Sequence, residues 1–174
     1  MPDTPAPPTA VGFLSIVQES GGVLGGYLVT NLWGRPLEFR LSTAVQPNRV
    51  QQILYGPTLT EYLHADLIGK TLVEKTGTIP GLIVTDSLPA LALRDRVGIP
   101  VLAVVPLFGE DGIRLVHARA SVPLILASRH AEDEATVIER LDRLDPAVDL
   151  VEPFARIREA ILEARKMGVA SRAA

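Results

Sequence analysis

The segment GLIVTDSLPALALRDRVGIPVLAVVP, Gly81 to Pro106, constrains the fold most tightly. Its two apolar runs, GLIVTDS and IPVLAVVP, are short and nearly continuous, the pattern of strands covered on both faces. Between them Ser87 is placed to cap a helix, Pro89 suits its first turn and Gly98 suits its end. Two buried strands joined by a short helical crossover run parallel with a right-handed connection. An α/β sheet is therefore expected.

The residues before this unit predict three antiparallel strands. Gly12 to Glu19 reads as a strand closed by the Gly-rich SGG turn, and GGYLVTNLWGRPLEFRLS, Gly25 to Ser42, reads as a hairpin. In its second strand Leu37, Phe39 and Leu41 alternate with Glu38 and Arg40, so one face is expected to be covered. The turn holds the single tryptophan, Trp33. Asn31 and Gly34 are expected to allow positive φ there, and Trp33 either folds back over the apolar end of the sheet or anchors a partner. Pro47 to Leu54 predicts a short helix. A second helix starts at Thr58, whose spacing to Glu61 is that of a capping box. At 100° per residue this helix places Leu59, Leu63 and Leu67 on one side and Ala65, Ile68 and Leu72 nearly opposite. A helix apolar on two sides calls for two partners, so Leu59, Leu63, Leu67 and Trp33 are candidate interface residues.

Beyond the parallel unit, Asp111-Gly112 predicts a hairpin turn, VPLILAS a further strand, and Glu132 to Leu144 and Pro153 to Lys166 two amphipathic helices. On the second of these, Arg158 and Arg165 lie one heptad apart at the edge of the apolar face. At 174 residues the chain has the size of one domain. The proline-rich residues 1–10 are expected to be a disordered leader, 11–167 a single α/β domain and 168–174 a flexible tail. No stretch reaches the roughly 18 apolar residues of a membrane helix. The chain has no cysteine, which excludes disulfides and thiolate chemistry and fits a reducing compartment, so a cytoplasmic location is expected. A net charge of −3 offers no broad basic field, which disfavours nucleic acid as a partner.

Three antiparallel strands followed by alternating helices and strands, then C-terminal helices, resemble the ribonuclease-H-like arrangement over about residues 11 to 106. That resemblance implies two metal ions held by carboxylates from the first strand, a helix and the end of the fourth strand. Asp86 fits the last position, Glu61 the helix, and Glu19 or Glu38 could complete the set. The first strand, FLSIVQE, lacks the aspartate that such enzymes carry in its middle. Separately, the stretch from Gly25 to Pro57 resembles a bacterial protein family with no assigned function, so it implies none here.

Asp86 is the leading candidate for chemistry, because open α/β sheets place ligands at the C-terminal ends of parallel strands. The competing expectation is that Asp86 or Ser87 merely caps a helix. His64, His117 and His130 have no metal-ligand spacing. Without a convincing catalytic set, the expectation is a non-catalytic accessory or interaction domain with no cofactor, acting as a homo-oligomer or on a protein partner. The alternative is a phosphodiester hydrolase dependent on Mg²⁺ or Mn²⁺, with Asp86 as metal ligand.

Overall fold

The computed structural model describes residues 8–105 and 112–168. Most of the predicted leader, Asp111 of the Asp-Gly turn and the tail beyond Gly168 lie outside the described residues. β1 (Ala10–Glu19), β2 (Gly22–Asn31) and β3 (Pro36–Leu41) form an antiparallel meander. β4 (Leu82–Thr85) pairs parallel with β1, and β5 (Val101–Val104) parallel with β4. β7 (Leu124–Ala127) then runs antiparallel to β5, with β6 (Gly112–Leu115) outside it, giving the order β3-β2-β1-β4-β5-β7-β6. The predicted mixed sheet is thus present. One pairing was not legible: β6 pairs with the strand that follows it, so it ends at the sheet edge.

Neighbouring residues of the central strands bury on opposite faces, as pleating requires. Leu14, Ile83 and Ala103 enter one core, while Phe13, Val84 and Leu102 enter the other. Two adjacent glycines of β2 let helices approach both faces. A Cβ on Gly25 would collide with Ile68 and one on Gly26 with Ile157, so each face of the strand meets helix side chains directly.

The first face is covered by a helical run that changes character along its length. α1 (Arg49–Tyr55) is closed at its start by Asn48 and Gln51, which satisfy each other's backbone N–H groups. The capping box expected at Thr58 and Glu61 is absent, and the Thr58 hydroxyl donates instead to the Tyr55 carbonyl. After α2 (Leu59–Glu61) the chain enters a π-helical stretch, Tyr62–Lys70, and returns to α3 (Thr71–Lys75). This corrects the expectation of a two-sided helix. With i→i+5 hydrogen bonds a turn takes more residues, so Leu63 and Ile68 fall on one face and are buried together with Leu72. Leu59 packs at the edge of that core and Leu67 stays partly exposed. Gly69 permits the close fit, because a Cβ there would press on Leu14 and Leu93.

The other face is covered by α5 (Glu134–Asp142) and α6 (Glu152–Lys166), where Val137, Leu141, Phe154, Ile157 and Ile161 are buried. The crossover between β4 and β5 is a 3-10 stretch, Leu88–Leu93, followed by α4 (Arg94–Val97), which Gly98 ends in the left-handed conformation. On β3, the expected cover over Leu37 and Phe39 is incomplete, because this is an edge strand and both side chains are exposed. Trp33 is 71% exposed, which removes the expectation of a lid. Asn31 does not need positive φ; its side-chain oxygen accepts from the backbone N–H groups of Trp33 and Arg35, and Gly34 alone supplies the positive φ.

Candidate active site

A cavity of about 430 Å³ opens at the C-terminal end of β4, lined by Ile16, Gln18, His64, Asp86, Ser87 and Val105 among others. Parallel pairing of β1 with β4 brings Ser15 beside Asp86. The Ser15 hydroxyl donates to Asp86 Oδ2 at 2.6 Å, and the Ile16 backbone N–H donates to Oδ1 at 3.0 Å. From α6, Arg158 Nη1 reaches Oδ2 at 3.0 Å. Three donors on one carboxylate fix its orientation. Asp86 therefore does not cap the following helix.

Neither does the Ser87 hydroxyl. It lies 2.7 Å from His64 Nδ1, while the Ser87 backbone N–H donates to the Thr85 hydroxyl. His64 projects from the π-helical stretch and is partly buried, which lowers its pKa below the ordinary histidine value. The Asp86 charge opposes that shift. The two effects leave a neutral imidazole at neutral pH.

The other acidic candidates go elsewhere. Glu19 pairs with Arg165. Glu38 accepts from the backbone N–H groups of Gly77 and Thr78 and from the Thr78 hydroxyl. The Thr78 hydroxyl is the main cause of its lowered pKa. Glu38 thus staples β3 to the loop before β4. Glu61 is exposed on α2, where its charge acts on Arg96. Among the described residues, no three His, Asp or Glu side chains gather where they could hold a metal ion. His117 pairs with Asp142, and His130 lies between Asp95 and Glu132.

The donor set at Asp86 does not fit the two-ion centre that the alternative reading requires. Such a centre needs several acidic oxygens converging on ions about 4 Å apart. Here Ser15 occupies the place of a first-strand carboxylate, and a guanidinium already balances the Asp86 charge.

Sequence reasoning found Asp86 and noted Arg158 but did not connect them, nor His64 to Ser87. Those partners lie 72 and 23 residues apart, and no spacing rule links them.

A 3-2-1-4-5 sheet with this meander and crossover, and with helices on both faces, defines the ribonuclease-H-like class of fold. Within that class the chain is similar to endonuclease V of Ciona intestinalis. One structure, in complex with a 24mer DNA containing an inosine followed by a ribo-adenosine, superposes with a TM-score of 0.52 at 9% identity over 90% of this chain and 87% of the other. A single-residue variant of the same enzyme on a 23mer superposes with a TM-score of 0.51 at 8% identity, over 90% and 86%. No protein-family model and no curated protein matches the chain.

Two expectations are corrected by these neighbours. The leading expectation of a non-catalytic accessory domain is not supported by these neighbours, which are endonuclease V in complex with DNA. The disfavouring of nucleic acid as a partner is likewise not supported, since both of these neighbours are bound to DNA. A net charge averages the whole surface and does not report a local basic patch. Among the described residues, no helix is long and apolar enough to cross a membrane.

Proposed function

We propose that the protein hydrolyses phosphodiester bonds in nucleic acid, with the cavity at Asp86 as its reacting centre. The observation that carries the reading is the meeting of Asp86, Ser87, His64 and Arg158 at the end of β4. This is the position where an open α/β sheet receives its ligand. Asp86 orients Arg158, and the guanidinium carries further N–H donors that can face the non-bridging oxygens of a backbone phosphate. Ile16 and Val105 add apolar surface to the lining of the same cavity. The site chemistry binds a phosphodiester through its charge and so does not by itself select a base.

The experiment is incubation with end-labelled single-stranded and duplex DNA and RNA, with and without a chelator. DNA carrying an inosine followed by a ribo-adenosine is included. Shortened products on a denaturing gel are expected. Oligonucleotides that all remain intact would overturn the reading. In the Arg158→Ala variant, binding measured by fluorescence anisotropy is expected to weaken about tenfold. The slope of log affinity against log salt should become shallower by about 1, whichever sequence is used.

A further inference from the structure

We propose that Ser87 and His64 form a nucleophile and base pair that cleaves the phosphodiester without a metal ion, an inference that rests on the hydrolase reading above. Three observations carry it. The Ser87 hydroxyl and His64 Nδ1 are 2.7 Å apart, inside the range expected of an activated nucleophile. Both side chains line the same cavity, so a phosphate can reach them. Among the described residues the hydroxyl makes no second hydrogen bond, so with the ring proton on Nε2 its own proton points at Nδ1.

Burial keeps the imidazole in its neutral, proton-accepting form near neutral pH. The Asp86 carboxylate, the titratable group facing His64 from the end of β4, favours the imidazolium as it forms. Each of these groups already has a partner in the folded chain, so the pair is set before substrate arrives. A metal centre would need further carboxylates, and none converges here among the described residues.

The steps balance. Ser87 Oγ attacks phosphorus as its proton passes to His64 Nδ1, forming an Oγ–P bond. The bond from phosphorus to one nucleoside oxygen breaks, and that oxygen leaves with the proton returned by His64. Water then attacks the serine-bound phosphodiester, giving a proton to His64 and releasing a phosphomonoester. The Ser87 hydroxyl recovers its proton from the imidazole. No oxidant, reductant or further reactant enters.

The test uses a fluorophosphonate, which phosphonylates an activated serine with loss of fluoride and needs no nucleic acid. Intact-mass and peptide analysis of the wild-type protein is expected to place one adduct on Ser87. His64→Gln should slow the labelling at least about 10²-fold, and Ser87→Ala should abolish it. Oligonucleotide cleavage is expected to persist in chelator and to fall about 10³-fold or more in Ser87→Ala. Cleavage that requires Mg²⁺ or Mn²⁺, with Ser87 unlabelled, overturns the pair and leaves the hydrolase reading standing. Labelled Ser87 with no cleavage of any oligonucleotide overturns the hydrolase reading instead. Because the wild-type labelling needs no variant, the test holds even where Ser87→Ala fails to fold.

Discussion

Changing Asp86 to asparagine is expected to lower cleavage on the order of 10²-fold while the protein stays folded. The substitution keeps one side-chain oxygen to accept from the Ile16 backbone N–H, and it removes the charge that holds Arg158. It also removes the charge that opposes the burial of His64. The sign of the pH effect follows. His64 acts while neutral, so the rate falls as pH drops through its pKa, which burial already holds below the ordinary value of about 6.5. Without the Asp86 charge that pKa drops further, and the acid limb of the pH–rate profile should move to lower pH. A lower rate with an unmoved acid limb would mean that Asp86 acts through Arg158 and not through His64.

The largest effect on stability is expected at Phe154. This residue is 2% exposed, and its ring meets Phe13 of β1 edge to face, with centroids 5.9 Å apart and planes at 80°. Phe154→Ala removes that contact and opens a cavity where α6 sits on the sheet. A cost of about 3–5 kcal/mol is expected, which in a domain of this size lowers the thermal midpoint by roughly 6–20 °C. Urea unfolding should show a lower midpoint at an unchanged slope. A loss below about 1 kcal/mol would mean that α6 does not seal this face. The same helix carries Arg158, so its packing also fixes the position of the cation that reaches Asp86.

The fold was largely legible because its signals are local. Apolar runs around Gly81–Ser87 and Ile99–Val105 announced the parallel pair, and the alternation of the preceding hairpin announced the meander. What failed was the step from local pattern to helix geometry. The assumption of 100° per residue set Leu63 against Ile68, whereas the π-helical turns bring them to one face. That error produced an apparent second apolar face, which was one of the supports for the expected partner protein. The site was legible only as a place. Asp86 stood out because strand ends collect ligands, yet its three donors come from β1 and α6, and only tertiary structure brings them together. The missing first-strand aspartate was visible in FLSIVQE. Its consequence, a serine hydrogen-bonded to the surviving carboxylate, was not.

The most direct measurement is a crystal structure of the Ser87→Ala variant with a single-stranded oligonucleotide. The cavity at the end of β4 should hold a backbone phosphate, with its non-bridging oxygens about 3 Å from the Arg158 guanidinium and its phosphorus facing residue 87. A strand seated on another surface, with the Asp86–Arg158 pair undisturbed and no phosphate in the cavity, would contradict it.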